Sequence, residues 1–201
     1  MKKFIPIALG LALCACSGTR VVDLNDEKEV TAMQNVMELE YRDWTNTAET
    51  MTQSMLKSGA FRTVKNPVIA MGTIVNDTQQ RFDTDILTKK IRTTLMKSGT
   101  VQIATNFSGE DTTTEKTRSL RSDAEYDQRT IAKTGTLIAP NMSLSGKMLQ
   151  RNLKLESGWF SSVDTRVEYY LQLTLTDLKT GLSVWEDEQP IIKEGTHTPT
   201  W

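Results

Sequence analysis

The chain has 201 residues, one domain's length with room for flanking segments, and 24 basic residues stand against 25 acidic ones for a formal charge of −1. That balance excludes the strongly basic footprint of a nucleic-acid binder. A single His, and cysteines only at positions 14 and 16, make a poor inventory for a transition-metal site.

The first 15 residues read as an export signal. Lys2 and Lys3 make a basic start, and an apolar run broken by Pro6 and Gly10 follows. The run is shorter than the roughly 20 residues a membrane-spanning helix needs. It ends Leu13-Cys14-Ala15-Cys16, which resembles the lipobox of bacterial lipoproteins. That resemblance implies a diacylglyceryl thioether on Cys16, cleavage before it and acylation of the new amino group. The alternative is an ordinary secretory signal with an incidental cysteine. With Ser17 rather than Asp following Cys16, the same resemblance favours the outer membrane, the domain facing the periplasm. Removing residues 1–15 takes two lysines and no acid, leaving 22 basic against 25 acidic residues and a charge of about −3. No disulfide can form within that chain, because Cys14 leaves with the signal and Cys16 is alkylated.

Residues 16–40 read as a tether. Asp23, Asp26, Glu27, Glu29, Glu38 and Glu40 make it acidic, and Val30, Met33, Val36, Met37 and Leu39 offer at most a transient helix. A solvated spacer fits that content better. Some 24 residues reach about 80 Å fully extended and roughly 25–30 Å as a relaxed coil.

A folded domain is expected over residues 41–190. Asp43 is a candidate N-cap, and Trp44, Ala48, Met51, Met55 and Leu56 recur at helical spacing up to the stop at Gly59. Residues 68–75, bounded by Pro67 and Asn76-Asp77, read as a buried central strand. A second helix over 84–97 is expected to turn Ile86, Leu87, Ile91, Leu95 and Met96 to the sheet, and 101–104 is a short strand. Together they form a strand–helix–strand unit. Residues 109–126 are polar, and Arg118, Arg121, Arg129 and Lys133 make either a basic patch or a mixed-charge face. Asp127 is expected to cap a short helix over 128–133.

The last third is rich in strand signals. Residues 142–155 form a long strand whose apolar phase shifts from Leu144 and Met148 to Leu149, Leu153 and Leu155, the mark of a bulge. Residues 157–162 form a hairpin tip carrying Trp159 and Phe160. Over 166–175 the alternation is strict, with Val167, Tyr169, Leu171, Leu173 and Leu175 on one face. A turn at 177–181 leads to a pairing strand with Val184 and Trp185, and 191–201 is a loose tail. The fold class is therefore α+β (α/β): a single small domain, a mixed and largely antiparallel sheet with helices packed on it.

No chemical constellation stands out. His197 lies in the tail, where a triad base would lack rigid support. Asp83 and Asp85, or Asp187 and Glu188, look like capping and edge charges rather than a glycosidase pair. Neither G-x-x-x-x-G-K-[ST] nor G-x-G-x-x-G occurs. Trp159 and Phe160 are either an exposed binding anchor or folded back on the sheet.

Taken in order, the lipobox, the Tyr41-Arg42-Asp43-Trp44 opening, the strand ending Val75-Asn76-Asp77-Thr78 and the closing Asp177-Leu178-Lys179-Thr180-Gly181-Leu182-Ser183-Val184-Trp185 resemble the LpoB-type outer-membrane lipoproteins that activate penicillin-binding proteins. The resemblance spans residues 41–188. It implies a small α/β domain that binds the regulatory domain of a class A penicillin-binding protein and stimulates peptidoglycan synthesis. It implies no catalysis, cofactor, metal or small-molecule substrate. The long Pro-rich tether of the best-known members is replaced here by a short one without Pro. Trp159, Phe160, Lys147 and Arg151, the last two read as strand-edge basics, are the candidate partner face. A structural subunit of an envelope assembly or secretion complex is the alternative.

Overall fold

The computed structural model describes residues 37–107, 111–154 and 165–195. Helix α1 (Tyr41–Ser58) begins in a reciprocal capping box: Glu40 accepts from the Asp43 backbone N–H, and the Asp43 carboxylate accepts from the Glu40 N–H at 3.0 Å. Asp43 is thus the third helical residue, not the cap itself. Glu40 is extended and serves as the cap. The helix stops at Gly59, whose φ of 82° is left-handed. Trp44, Ala48, Met51 and Met55 make its buried stripe, and Leu56 packs at the margin.

Strand β1 (Val68–Asp77), helix α2 (Thr84–Lys97) and strand β2 (Gln102–Ile103) form the expected strand–helix–strand unit, with β1 and β2 parallel. Asp83 caps α2 by accepting from the Asp85 N–H at 2.9 Å. Leu87, Ile91 and Leu95 face inward, whereas Ile86 and Met96 are 46% and 59% exposed. At 100° per residue those two fall outside the stripe that positions 87, 91 and 95 define.

Strands β3 (Met142–Lys154), β4 (Thr165–Asp177) and β5 (Leu182–Gly195) complete a five-stranded sheet of order β2-β1-β3-β4-β5. β3 runs parallel to β1; β4 and β5 are antiparallel to their predecessors. The β3–β4 ladder is unbroken from Met142↔Asp177 to Lys154↔Thr165, so the expected bulge is not there. Even-numbered β3 residues keep one face throughout, and Leu149 and Leu153 simply belong to the opposite one. Irregularities lie in the neighbouring pairings instead: between Met71 and Ile74, which pair with Leu144 and Gly146, and between Leu175 and Thr176, which pair with Trp185 and Ser183.

α1 and α2 cover a single face of the sheet. Their inward residues share one core with Met142, Leu144 and Met148 of β3 and with Val167, Tyr169, Leu171, Leu173 and Leu175 of β4. Each large side chain buried there contributes about 1.5–3 kcal/mol.

Three expectations at the margins change. Residues 37–40 are not spacer. Met37 and Leu39 are core residues, Gln80 brackets the Leu39 backbone by accepting from its N–H (2.7 Å) and donating to its carbonyl (3.0 Å), and the buried Tyr169 hydroxyl donates to the Met37 carbonyl at 3.2 Å. At the other end, 191–195 are not tail. β5 pairs with β4 as far as Thr165↔Gly195, because Pro190 sits in an edge strand where its missing N–H breaks no ladder. Finally, 128–133 is a turn, not a helix. The Asp127 carboxylate accepts from the Arg129 N–H at 3.0 Å and its carbonyl from the Thr130 N–H at 3.0 Å. The polar stretch before it holds a short helix, α3 (Thr113–Ser119).

Candidate partner-binding face

Alternation along β3, β4 and β5 gives the sheet a second face, turned away from α1 and α2. Register places its rows: Ser145–Thr174–Glu186, Lys147–Gln172–Glu188, Leu149–Tyr170–Pro190, Arg151–Glu168–Ile192 and Leu153–Arg166–Glu194. The cross-row bonds agree. Gln172 donates to Glu188 at 2.6 Å, Arg166 Nε to Glu194 at 2.6 Å, and the Tyr170 hydroxyl to Glu168 at 2.7 Å.

Glu168 is the one buried acid of this face, at 7% exposure. Arg151 and Arg166 approach it at 3.8 and 3.9 Å, and Tyr170 bonds its carboxylate. That bond to an anion, with desolvation, holds the Tyr170 phenol above its ordinary value, so it remains a neutral donor. Around this fixed centre lie apolar side chains that keep contact with solvent: Leu149, Leu153 and Pro190, with Ile192 53% and Val75 48% exposed. An aromatic and arginine centre with small apolar neighbours and a charged rim is the composition of a protein-binding surface.

Lys147 and Arg151 both lie on this face, four residues apart on β3. They are not strand-edge residues, since β3 is central, flanked by β1 and β4. Lys147 pairs with Asp77 at 2.6 Å. Trp159 and Phe160 fall between Lys154 and Thr165, and Cys16 and His197 near the ends; all four lie outside the described residues. Glu168, Tyr170 and Ile192 are not among the residues that the sequence singles out for this face. The alternation of β4 carries a signal for Glu168 and Tyr170, which fall between the buried positions, whereas Ile192 lies in β5 beyond Pro190, where a tail is expected.

The arginines of the polar stretch, expected as either a basic patch or a mixed-charge face, bond to groups of their own loop. Arg118 donates to the Lys133 carbonyl and the Thr136 hydroxyl, and Arg121 to the Ala132 carbonyl and the Thr134 hydroxyl, tying the loop to α3 and to the turn that follows it. Arg129 pairs with Asp127 at 3.1 Å. Asp83 is a helix cap, and Asp187 accepts from the Glu188 N–H at 2.9 Å. No group of three or more His, Cys, Asp or Glu able to hold a metal occurs among the described residues.

This geometry defines a small two-layer α/β module: helices close one sheet face, and the other presents a fixed polar centre to solvent. The chain belongs to the family of the peptidoglycan-synthase activator LpoB, which it matches over residues 43–191. No curated protein matches it. Among solved structures it is similar to the LpoB C-terminal domain from Escherichia coli (13% identity, TM-score 0.42), covering 74% of this chain and 98% of that one. It is likewise similar to the LpoB C-terminal domain from Salmonella enterica (15% identity, TM-score 0.44, with the same coverage). Lipoprotein GNA1162 from Neisseria meningitidis matches at 8% identity and TM-score 0.35, covering 67% of this chain and 88% of that one.

Proposed function

We propose that this protein is an outer-membrane lipoprotein, anchored through Cys16 and facing the periplasm, that binds a class A penicillin-binding protein through its regulatory domain and stimulates peptidoglycan synthesis. The observation that carries the reading is the family match over residues 43–191, which takes in both helices of the core and nearly all of the sheet. The protein acts by contact. The face centred on Tyr170 and Glu168 supplies a rigid docking surface, with Lys147 and Arg151 on it and Trp159 and Phe160 in the connection between β3 and β4. Because residues 37–40 belong to the domain, 20 residues separate it from Cys16, a length of chain that spans at most about 70 Å.

The test is glycan-chain polymerisation by the organism's own class A synthase with the protein added in excess. A several-fold rise in rate, lost in a Tyr170→Ala, Arg151→Ala variant that still folds, supports the proposal. An unchanged rate together with no co-purification of the synthase refutes it.

A further inference from the structure

The helix layer has an outer surface of its own. At about 100° per residue, Ile86, Lys89, Lys90, Thr93, Met96 and Lys97 fall within an arc of about 120° on α2, opposite the buried Ile91 and Leu95. Asp85 lies just beyond that arc. Three lysines and two exposed apolar side chains thus share a stripe that holds no acid. α1 borders it with the exposed Tyr41 near its start and with Glu49, Gln53 and Leu56 further along. Lys90 reaches Glu49 at 3.2 Å, whereas Lys89 and Lys97 have no acidic partner among the described residues. Across the two helices Arg42, Lys57, Lys89, Lys90, Arg92 and Lys97 stand against Asp43, Glu49 and Asp85, a balance of +3 in a mature chain of about −3.

The composition of this stripe differs from that of the open sheet face. Tyrosine and arginine, as at Tyr170 and Arg151, are enriched where proteins meet, and lysine is depleted there. Lysines that keep their ammonium groups in water, with aliphatic and aromatic side chains between them, suit an anionic lipid surface instead. The entry point of the chain agrees. Met37 and Leu39 are locked into the core, and Tyr41, two residues on, already borders the stripe. A domain held 20 residues from an acylated Cys16 meets the leaflet at an effective concentration on the order of millimolar, so a weak attraction is enough.

We infer that the outer face of α2 lies on the anionic lipid of the leaflet that holds the anchor. This rests on the lipoprotein reading above and adds an orientation to it. Because α1 and α2 cover one face of the sheet, a domain lying on α2 turns Glu168, Tyr170 and Arg151 away from the lipid, where a partner can reach them.

Flotation of residues 17–201, which keep the whole packed core, tests the contact without the anchor. The vesicles are phosphatidylcholine alone or with one third phosphatidylglycerol. Partitioning is expected to be at least about tenfold stronger onto the anionic vesicles at low salt, and to fall away at about 0.5 M salt. Lys89→Gln, Lys90→Gln and Lys97→Gln together are expected to lose about 100-fold, at about fivefold per lysine. Removing the same charge elsewhere, by Lys116→Gln, Lys133→Gln and Lys179→Gln, is expected to cost less than about fivefold. Unchanged urea midpoints show that both variants fold. Equal partitioning onto the two vesicles overturns the inference, and so does an equal loss in the two variants. Loss of synthase capture in the α2 variant, with its flotation intact, puts a protein on this face and overturns it too. An unmodified mature terminus in mass spectrometry overturns the anchored reading, and the orientation with it, whatever flotation shows.

Discussion

The two faces of β4 are made by the same thirteen residues and have opposite fates. Val167, Tyr169, Leu171, Leu173 and Leu175 are fully buried beneath the helices. Tyr170, Gln172 and Thr174, one residue over, stay half-buried at the other surface. Register decides this: a shift of one residue exchanges the two sets, and the apolar set forbids the shift. The difference teaches where tolerance should lie. The buried face should resist substitution for packing reasons alone, while the open face should change what the protein touches without unfolding it.

The comparison is broken most directly by truncating one residue on each side. Leu171→Ala is expected to cost about 3 kcal/mol, since it leaves a cavity in the core, and Gln172→Ala within about 0.5 kcal/mol. Urea unfolding of the pair checks this, and equal losses would remove the distinction. Gly146→Ala comes next. A Cβ there would lie 2.5 Å from the Gln172 carbonyl oxygen and 2.6 Å from Leu173 Cδ2. A loss of about 1–3 kcal/mol is expected from that overpacking, read as a lower denaturation midpoint at unchanged slope.

Tyr169→Phe sharpens the comparison, because Tyr169 is the buried neighbour of Tyr170. Removing its hydroxyl deletes the bond to the Met37 carbonyl and should cost about 1 kcal/mol at neutral pH. Burial raises its phenol well above the ordinary 10.0. The folded chain therefore keeps a proton that the unfolded chain loses, and stability falls as pH rises beyond 10. That part of the alkaline loss should vanish in the Phe variant when thermal midpoints are followed across the range.

Glu40 gives the smallest effect. One of its oxygens is buried without a partner, and desolvation raises its carboxyl above 4.5 despite Lys193 nearby. Its stabilising contribution is full below pH 4.5 and is lost as pH rises through the folded value. Glu40→Gln, which keeps an acceptor for the Asp43 N–H, should flatten the stability profile just above pH 4.5. An unchanged profile there would show that this carboxyl does not sense the fold.

Much of this architecture was legible. Trp44, Ala48, Met51 and Met55 announced α1, and Leu87, Ile91 and Leu95 announced α2. Strict alternation from Val167 to Leu175 announced β4, and short-range periodicity is what a sequence encodes most plainly. The site was legible only in part. Lys147 and Arg151 were singled out, yet as edge residues, because strand order depends on pairing between segments far apart in the chain. The partners they meet, Asp77 and Glu168, are distant in sequence. Pro190 looked like an end, and only its place in an edge strand let β5 continue past it.

By itself the sequence determined the element types, the single-domain α/β class and the buried half of each strand, because local periodicity and apolar content leave few other ways to remove those side chains from water. Tertiary structure alone decided that 37–40 lock into the domain and that β3 lies at the centre. It also decided that a basic and an acidic column flank Tyr170 on one open face. Those features arise from register and crossover connection, which bring together residues that no local pattern relates.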